Sequence, residues 1–323
     1  MTVDESQIDL LSEAFLRQPR RYTSRQVAAM AGVPVYRARR YWRALGFPNV
    51  ADDAVVFTEA DVEALKTLVA LVSDGCYDEE HMLLVTRALG RATASLAESQ
   101  AELGAETLDL AGVPLAKRPE AWRERADRVV PSLEQLLVYT WRRQLASAAG
   151  RIVDQEVGTV RLAVGFADMV GFTRFSRQIA EKELAGLVER FEGRSADVVT
   201  SSGGRVVKTL GDSVLFVADL ARVAAEIALR LLEVHAPDRA MPDLRVGLAI
   251  GPVISRMGDV FGTTVNLASR LTSLAPAGGV LADPALAEDL SASPGFALVP
   301  AEPMTAKGLG ELLPSVVRRA PRD

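Results

Sequence analysis

The hydrophobic pattern of this chain changes character near residues 125 to 155, and that change sets what the chain can fold into. Upstream, apolar residues recur at helical spacing with few strand signals. Downstream, short Val/Leu/Ile-rich runs alternate with helical stretches such as 181–200 and 220–234. A period switch of this kind predicts two bodies of different class, an all-α N-terminal part and an α+β C-terminal part. The C-terminal part reads as a ferredoxin-like layer, with Gly203-Gly204 and Leu210-Gly211 punctuating the strands around Lys208. The expected division is 1–125, a connecting segment 126–155, and 156–323, and the amphipathic stretch from Ser132 to Leu145 supplies a connecting helix able to carry a signal. With 323 residues, 49% of them hydrophobic, there is material for two cores.

Two aspartates stand where apolar runs end. Asp168 follows Leu162-Ala163-Val164-Gly165-Phe166, and Asp212 precedes Val214-Leu215-Phe216-Val217. Carboxylates at the ends of buried strands can hold a divalent cation against phosphate oxygens. Val170-Gly171-Phe172 reads as a turn into a helix starting near Thr173, whose free amides could receive a triphosphate. Taken singly, Asp168 reads equally as a helix cap and Asp212 as a hairpin residue. A third motif favours the first reading. From Asp259 the chain runs through a loop into a helix carrying Asn266 and Arg270 at i and i+4, on one face. An amide that orients a ribose and a guanidinium that neutralises developing charge suit phosphoryl transfer.

The metal motif Phe166 to Thr173, with Lys208, Asp212, Asp259, Asn266, Arg270 and Lys307 following in that order with their local glycines, resembles the class III nucleotidyl cyclases over residues 158–318. The resemblance implies a ferredoxin-like cyclase domain in which Asp168, Met169 and Asp212 hold two Mg²⁺ or Mn²⁺ ions. It implies that Lys208 and Asp259 select the base, that Val170, Gly171, Phe172 and Lys307 contact the substrate, and that Asn266 and Arg270 stabilise the transition state. In this family the metal aspartates and the base-selecting residues come from opposite protomers; a chain carrying both sets implies a homodimer with two equivalent sites. One departure stands out: Pro252 occupies the place after Gly251 where many relatives carry a phosphate-binding arginine, which leaves Arg256 as the candidate substitute.

Base choice can also be argued from donors and acceptors. Adenine offers an exocyclic amine and a ring-nitrogen acceptor, which a carboxylate and an ammonium complement, so Lys208 with Asp259 favours ATP over GTP. The reaction implied is attack of the ribose 3′-hydroxyl on the α-phosphorus, giving cyclic AMP and pyrophosphate. His235, after a helix and next to Pro237, is expected at the surface. A guanylyl cyclase is the enzyme alternative.

The N-terminal segment from Tyr22 to Arg43 reads as helix, glycine turn, helix, and over 22–46 it resembles the helix-turn-helix of MerR-type regulators. Seven arginines and no acid lie between Arg20 and Arg43, a pattern able to contact DNA phosphates. Residues 1–150 nevertheless hold 18 basic and 21 acidic side chains, a net −3, so this is no cationic body. The preferred reading is a regulatory domain that controls how protomers meet; the alternative is a DNA-binding regulator with a cyclase-fold sensor. Candidate effectors are pH, through His81 beside Asp78, Glu79 and Glu80, or an apolar ligand between the Leu65-Leu68-Val69-Val72 and Met82-Leu83-Leu84-Val85 clusters. Cys76 is the sole cysteine, the start lacks signal-peptide features, and no apolar run approaches the roughly 20 residues of a membrane span, so a cytoplasmic protein is expected.

Overall fold

The computed structural model describes residues 5–152, 159–306 and 310–321. The chain divides into two compact units, Met1–Ala149 and Gly150–Asp323.

The first unit is helical: α1 (Glu5–Leu16), α2 (Ser24–Met30), α3 (Val35–Leu45), α4 (Glu59–Ser73), α5 (Glu79–Leu110) and α6 (Arg118–Ile152), the last continuing past the unit boundary. Local chemistry fixes the starts. Thr23 and Gln26 form a capping box for α2, Thr58 and Asp61 another for α4, and Asp78 accepts the His81 amide at 2.8 Å to cap α5. The core gathers Val27, Tyr41, Trp42, Phe57, Leu65, Met82 and Leu83, with the Trp42 and Phe57 rings stacked at 4.5 Å. Of the two apolar clusters singled out in the sequence, Leu65, Met82 and Leu83 therefore pack into one core, with Leu68, Val69 and Val72 at its edge, while Val85 is exposed.

The second unit contains β1 (Thr159–Met169), α7 (Phe172–Phe175), α8 (Glu181–Ser201), β2 (Arg205–Thr209), β3 (Ser213–Ala218), α9 (Ala221–His235), β4 (Leu244–Arg256), β5 (Asp259–Phe261), α10 (Thr263–Leu274), β6 (Val280–Ala282), α11 (Pro284–Ser291), β7 (Phe296–Pro300), β8 (Met304–Ala306), β9 (Gly310–Leu312) and β10 (Ser315–Arg319). Strands β2, β3, β1 and β4 lie side by side and antiparallel, joined by α8 between β1 and β2 and by α9 between β3 and β4. That is the ferredoxin-like βαββαβ arrangement, and the chain as a whole is α+β. Beyond β4 the sheet continues through β6, parallel to it, then β10 and β7.

Alternation along β1 sorts the sheet into two faces. Ala163, Ala167 and Met169 join the large core under α8, α9 and α11. Leu162, Val164 and Phe166 point the other way, into a smaller core with Leu215, Val217, Ala249, Val253 and Ala268 of α10. Asp168 belongs to this second set by period. Helix α10 lies directly on β4: a Cβ at Gly247 would stand 2.1 Å from the Thr272 amide nitrogen and 2.5 Å from the Ala268 carbonyl oxygen. Only the absence of a side chain permits that approach.

Candidate active site

Asp168 is the next-to-last residue of β1, and Asp212 sits in the turn between β2 and β3, where Gly211 takes φ +72°. The Met169 amide donates to the Asp212 carbonyl at 2.9 Å, so the two acids leave the sheet at one corner. Burial, and after it the charge of Asp168, push the Asp212 carboxyl above its ordinary value, partly offset by Arg245. Two mutually repelling carboxylates in a half-buried corner are a place for a cation, and Arg245 fills part of that need. Its Nε and Nη2 donate to Asp168 Oδ2 at 2.9 and 2.6 Å, while Nη1 donates to the Ser273 carbonyl at 2.9 Å. The donor set is all oxygen, as Mg²⁺ or Mn²⁺ requires. Met169's side chain is buried in the large core, which leaves only its carbonyl to face an ion.

Val170 and Gly171 form the expected turn, with the Val170 amide bonded to the Asp243 carbonyl at 2.8 Å. The helix that follows differs from expectation: α7 is a single turn starting at Phe172, and the chain bends again before α8. Its first amides have no acceptor within the helix, but four residues sum little dipole.

Lys208 Nζ lies 2.7 Å from Asp259 Oδ2. A β-bulge makes this possible. The β2–β3 register slips between Val206 and Lys208, so that Lys208 pairs with Leu215 on the face away from α8 and α9. Strict alternation would have turned Lys208 into the helix-covered face. Asp259 opens β5, a short strand where the sequence suggested loop, and stands opposite Arg256 in the hairpin register. Arg256 thus accompanies the Lys208–Asp259 pair. Asn266 and Arg270 lie one turn apart on the exposed stripe of α10, and neither side chain makes a hydrogen bond or ion pair among the described residues. Lys307 lies outside the described residues.

The adenylate and guanylate cyclase catalytic domain family matches residues 154–317, and the adenylate cyclase regulatory domain family matches 6–146. The chain is 52% identical over 284 residues to an adenylate cyclase of Streptomyces coelicolor, covering 87% of this chain and 74% of that protein. It is 39% identical over 325 residues to an adenylate cyclase of Glutamicibacter nicotianae, covering 94% and 80%. The chain belongs to the adenylate cyclase family. A crystal structure of the catalytic core of a rhodopsin-guanylyl cyclase with converted specificity, in complex with ATPαS, aligns with 50% of the cyclase and 98% of that chain at 26% identity and a TM-score of 0.47.

Several side chains of this cyclase lie where the sequence did not place them. His235 is buried at 4% exposure, not at the surface; its ring packs against Phe191 at 5.4 Å and its Nε2 lies 3.3 Å from Ser195 Oγ. The signal was available: Ala224, Ala228, Leu231 and His235 continue one helical stripe in α9. Arg245 was missed because its partner is 77 residues away and is fixed only by the β1–β4 register, in which Asp168 faces Arg245. In the helical unit, Arg37 and Arg40 pair with Glu79, and Arg25 and Arg39 with Asp52. His81 Nδ1 sits 2.7 Å from Asp78 Oδ2 in an exposed pair at the start of α5. Among the described residues, no helix is long and apolar enough to cross a membrane.

Proposed function

We propose that this cyclase converts ATP to 3′,5′-cyclic AMP and pyrophosphate at two equivalent composite sites of a homodimer. The observation that carries the choice of ATP is the Lys208–Asp259 pair: an ammonium and a carboxylate held 2.7 Å apart offer one donor and one acceptor to an adenine edge. Guanine presents a carbonyl where adenine has its amine, and Asp259 repels it.

Asp168 and Asp212, with the Met169 carbonyl, would hold two Mg²⁺ or Mn²⁺ ions. When bound, such ions lower the pKa of the attacking 3′-hydroxyl and neutralise the triphosphate. Asn266 orients the ribose, and Arg270 stabilises charge that develops on the phosphate in flight. Amides of the Val170-Gly171-Phe172 turn and the Lys307 ammonium contact the triphosphate. Arg256 stands at the base-reading pair, so it is a poor replacement for the arginine that Pro252 displaces. Support for sharing sites between protomers comes from Asn266 and Arg270, exposed on α10 with side chains that have no partner among the described residues. The helical unit acts on this reaction by governing how the protomers meet. Against DNA contact by α3 stands the engagement of Arg25, Arg37, Arg39 and Arg40 with Asp52 and Glu79, which leaves fewer cations for phosphates.

The test is turnover of ATP and GTP by the full chain with Mn²⁺, alongside the double variant Lys208→Glu/Asp259→Ser. Cyclic AMP should exceed cyclic GMP by about 100-fold for the native chain, with the ratio shifting towards GTP in the variant. Equal use of both nucleotides by the native chain would defeat the assignment.

A further inference from the structure

Arg245 is the guanidinium nearest the acid pair, and no motif of the family resemblance drew attention to it. Two of its nitrogens converge on a single oxygen, Asp168 Oδ2, at 2.6 and 2.9 Å, and the third reaches the Ser273 carbonyl at 2.9 Å. The arrangement is built rather than incidental. Asp168 and Arg245 face each other in the β1–β4 register, both side chains are about three-quarters buried, and Ser273 lies in the last turn of α10. Two residues along β4, Gly247 provides the flat seat on which α10 rests. One short stretch of strand therefore fixes both an acid and the helix that carries Asn266 and Arg270.

We propose that Arg245 is a positioning residue that ties the Asp168 carboxylate to the end of α10 and competes with the divalent cation for that carboxylate. The inference rests on the reading of Asp168 as a metal ligand. While no ion is bound, the guanidinium supplies the positive charge that two adjacent carboxylates need. An arriving ion shares Asp168 with a cation already present, so its affinity is lowered by like-charge repulsion. The Ser273 end of the bridge keeps α10 in place while Asp168 changes partners. A planar fork can hold both ends at once; an ammonium at the same place keeps the charge but cannot span them.

The experiment measures Mn²⁺ binding to the full-length protein without nucleotide, by the electron paramagnetic resonance of free Mn²⁺, together with kcat and KM for ATP. Arg245→Gln should bind Mn²⁺ about ten-fold more tightly, because a repelling charge is gone. Arg245→Lys should bind it about as the native chain does. Both should lose about ten-fold or more in kcat with little change in KM, since neither rebuilds the two-ended bridge. A merely structural residue would weaken metal binding and turnover together. Unchanged or weaker Mn²⁺ binding in Arg245→Gln overturns the proposal, as does native kcat in Arg245→Lys, which also decides the matter if the glutamine variant does not fold. Asp168→Asn separates the two readings. If it binds Mn²⁺ like the native chain, the metal assignment itself fails; if it loses binding while Arg245→Gln leaves affinity unchanged, only the role of Arg245 fails.

Discussion

Acid should unfold the catalytic unit in a way that a single side chain controls. His235 is enclosed by α8 and α9: its ring lies on Phe191, Nε2 meets Ser195 Oγ, and Nδ1 is buried with no hydrogen-bond partner among the described residues. Burial, and after it the charge of Arg194, lower its pKa from 6.5 to about 4, with Asp238 opposing. The folded state thus prefers neutral histidine, and the unfolded chain takes up the proton first. The contribution is complete above the unfolded value near 6.5 and is lost as pH falls from there towards 4. Linkage gives a loss of about 2 kcal/mol at pH 5 and about 3 kcal/mol below pH 4. All three tryptophans, Trp42, Trp122 and Trp141, and all five tyrosines lie in the helical unit. Tryptophan emission in urea therefore follows that unit alone, while far-ultraviolet circular dichroism includes the catalytic unit. Between pH 7 and 5 the catalytic transition of the native chain should lose about 2 kcal/mol more than that of His235→Gln, with the tryptophan transition moving alike in both. Parallel pH curves for the catalytic transition would refute the argument.

Other outcomes follow from the same geometry. Gly247→Ala should destabilise the catalytic unit by about 2–4 kcal/mol and cut turnover sharply, because its Cβ meets the backbone of α10; Gly251→Ala, which meets the Thr264 side chain at 2.8 Å, should cost less, and urea denaturation with turnover would compare them. Asp168→Ala and Arg270→Ala should each abolish or strongly reduce cyclic AMP production alone, while mixing the two restores up to one intact site per heterodimer; no recovery despite proven subunit exchange would contradict shared sites. Replacing Arg319, which joins Glu226 and Glu233 of α9 to the last strand, with Met should cost only about 1 kcal/mol in thermal unfolding, since the cluster is partly exposed.

How much of this could be read from the chain depended on whether the information was local. The placement of Asp168 and Asp212 at strand ends was legible because an apolar run ending in an acid is a short-range pattern, and that of Asn266 and Arg270 on one helix face because they lie at i and i+4. The amphipathic stretch 132–145 is part of a longer helix, α6, since polar flanks continue a helix without the periodicity that betrays one. Arg245 beside Asp168 depends on strand register across 77 residues, which no window reveals. His235 was misplaced because proline nearby was weighed above the apolar stripe running into it. The short strand β5 escaped notice because three residues carry no period.

The bulge at Val206 to Lys208 makes the Lys208–Asp259 pair a matter of reading frame as well as of residue identity. Val206 opposes Phe216 and Lys208 opposes Leu215, so Val207 is surplus to the pairing, and everything after it in β2 is turned over relative to strict alternation. Pairing β2 without the slip would leave every residue in the sequence, yet set Lys208 opposite Val214 and aim its ammonium into the side of the sheet covered by α8 and α9. Exchanging side chains at 208 and 259 alters which groups the pair presents; losing the slip alters whether Lys208 meets Asp259 at all. Substitutions at 208 and 259 meant to test the purine preference proposed above therefore have to keep the slip between Val206 and Lys208.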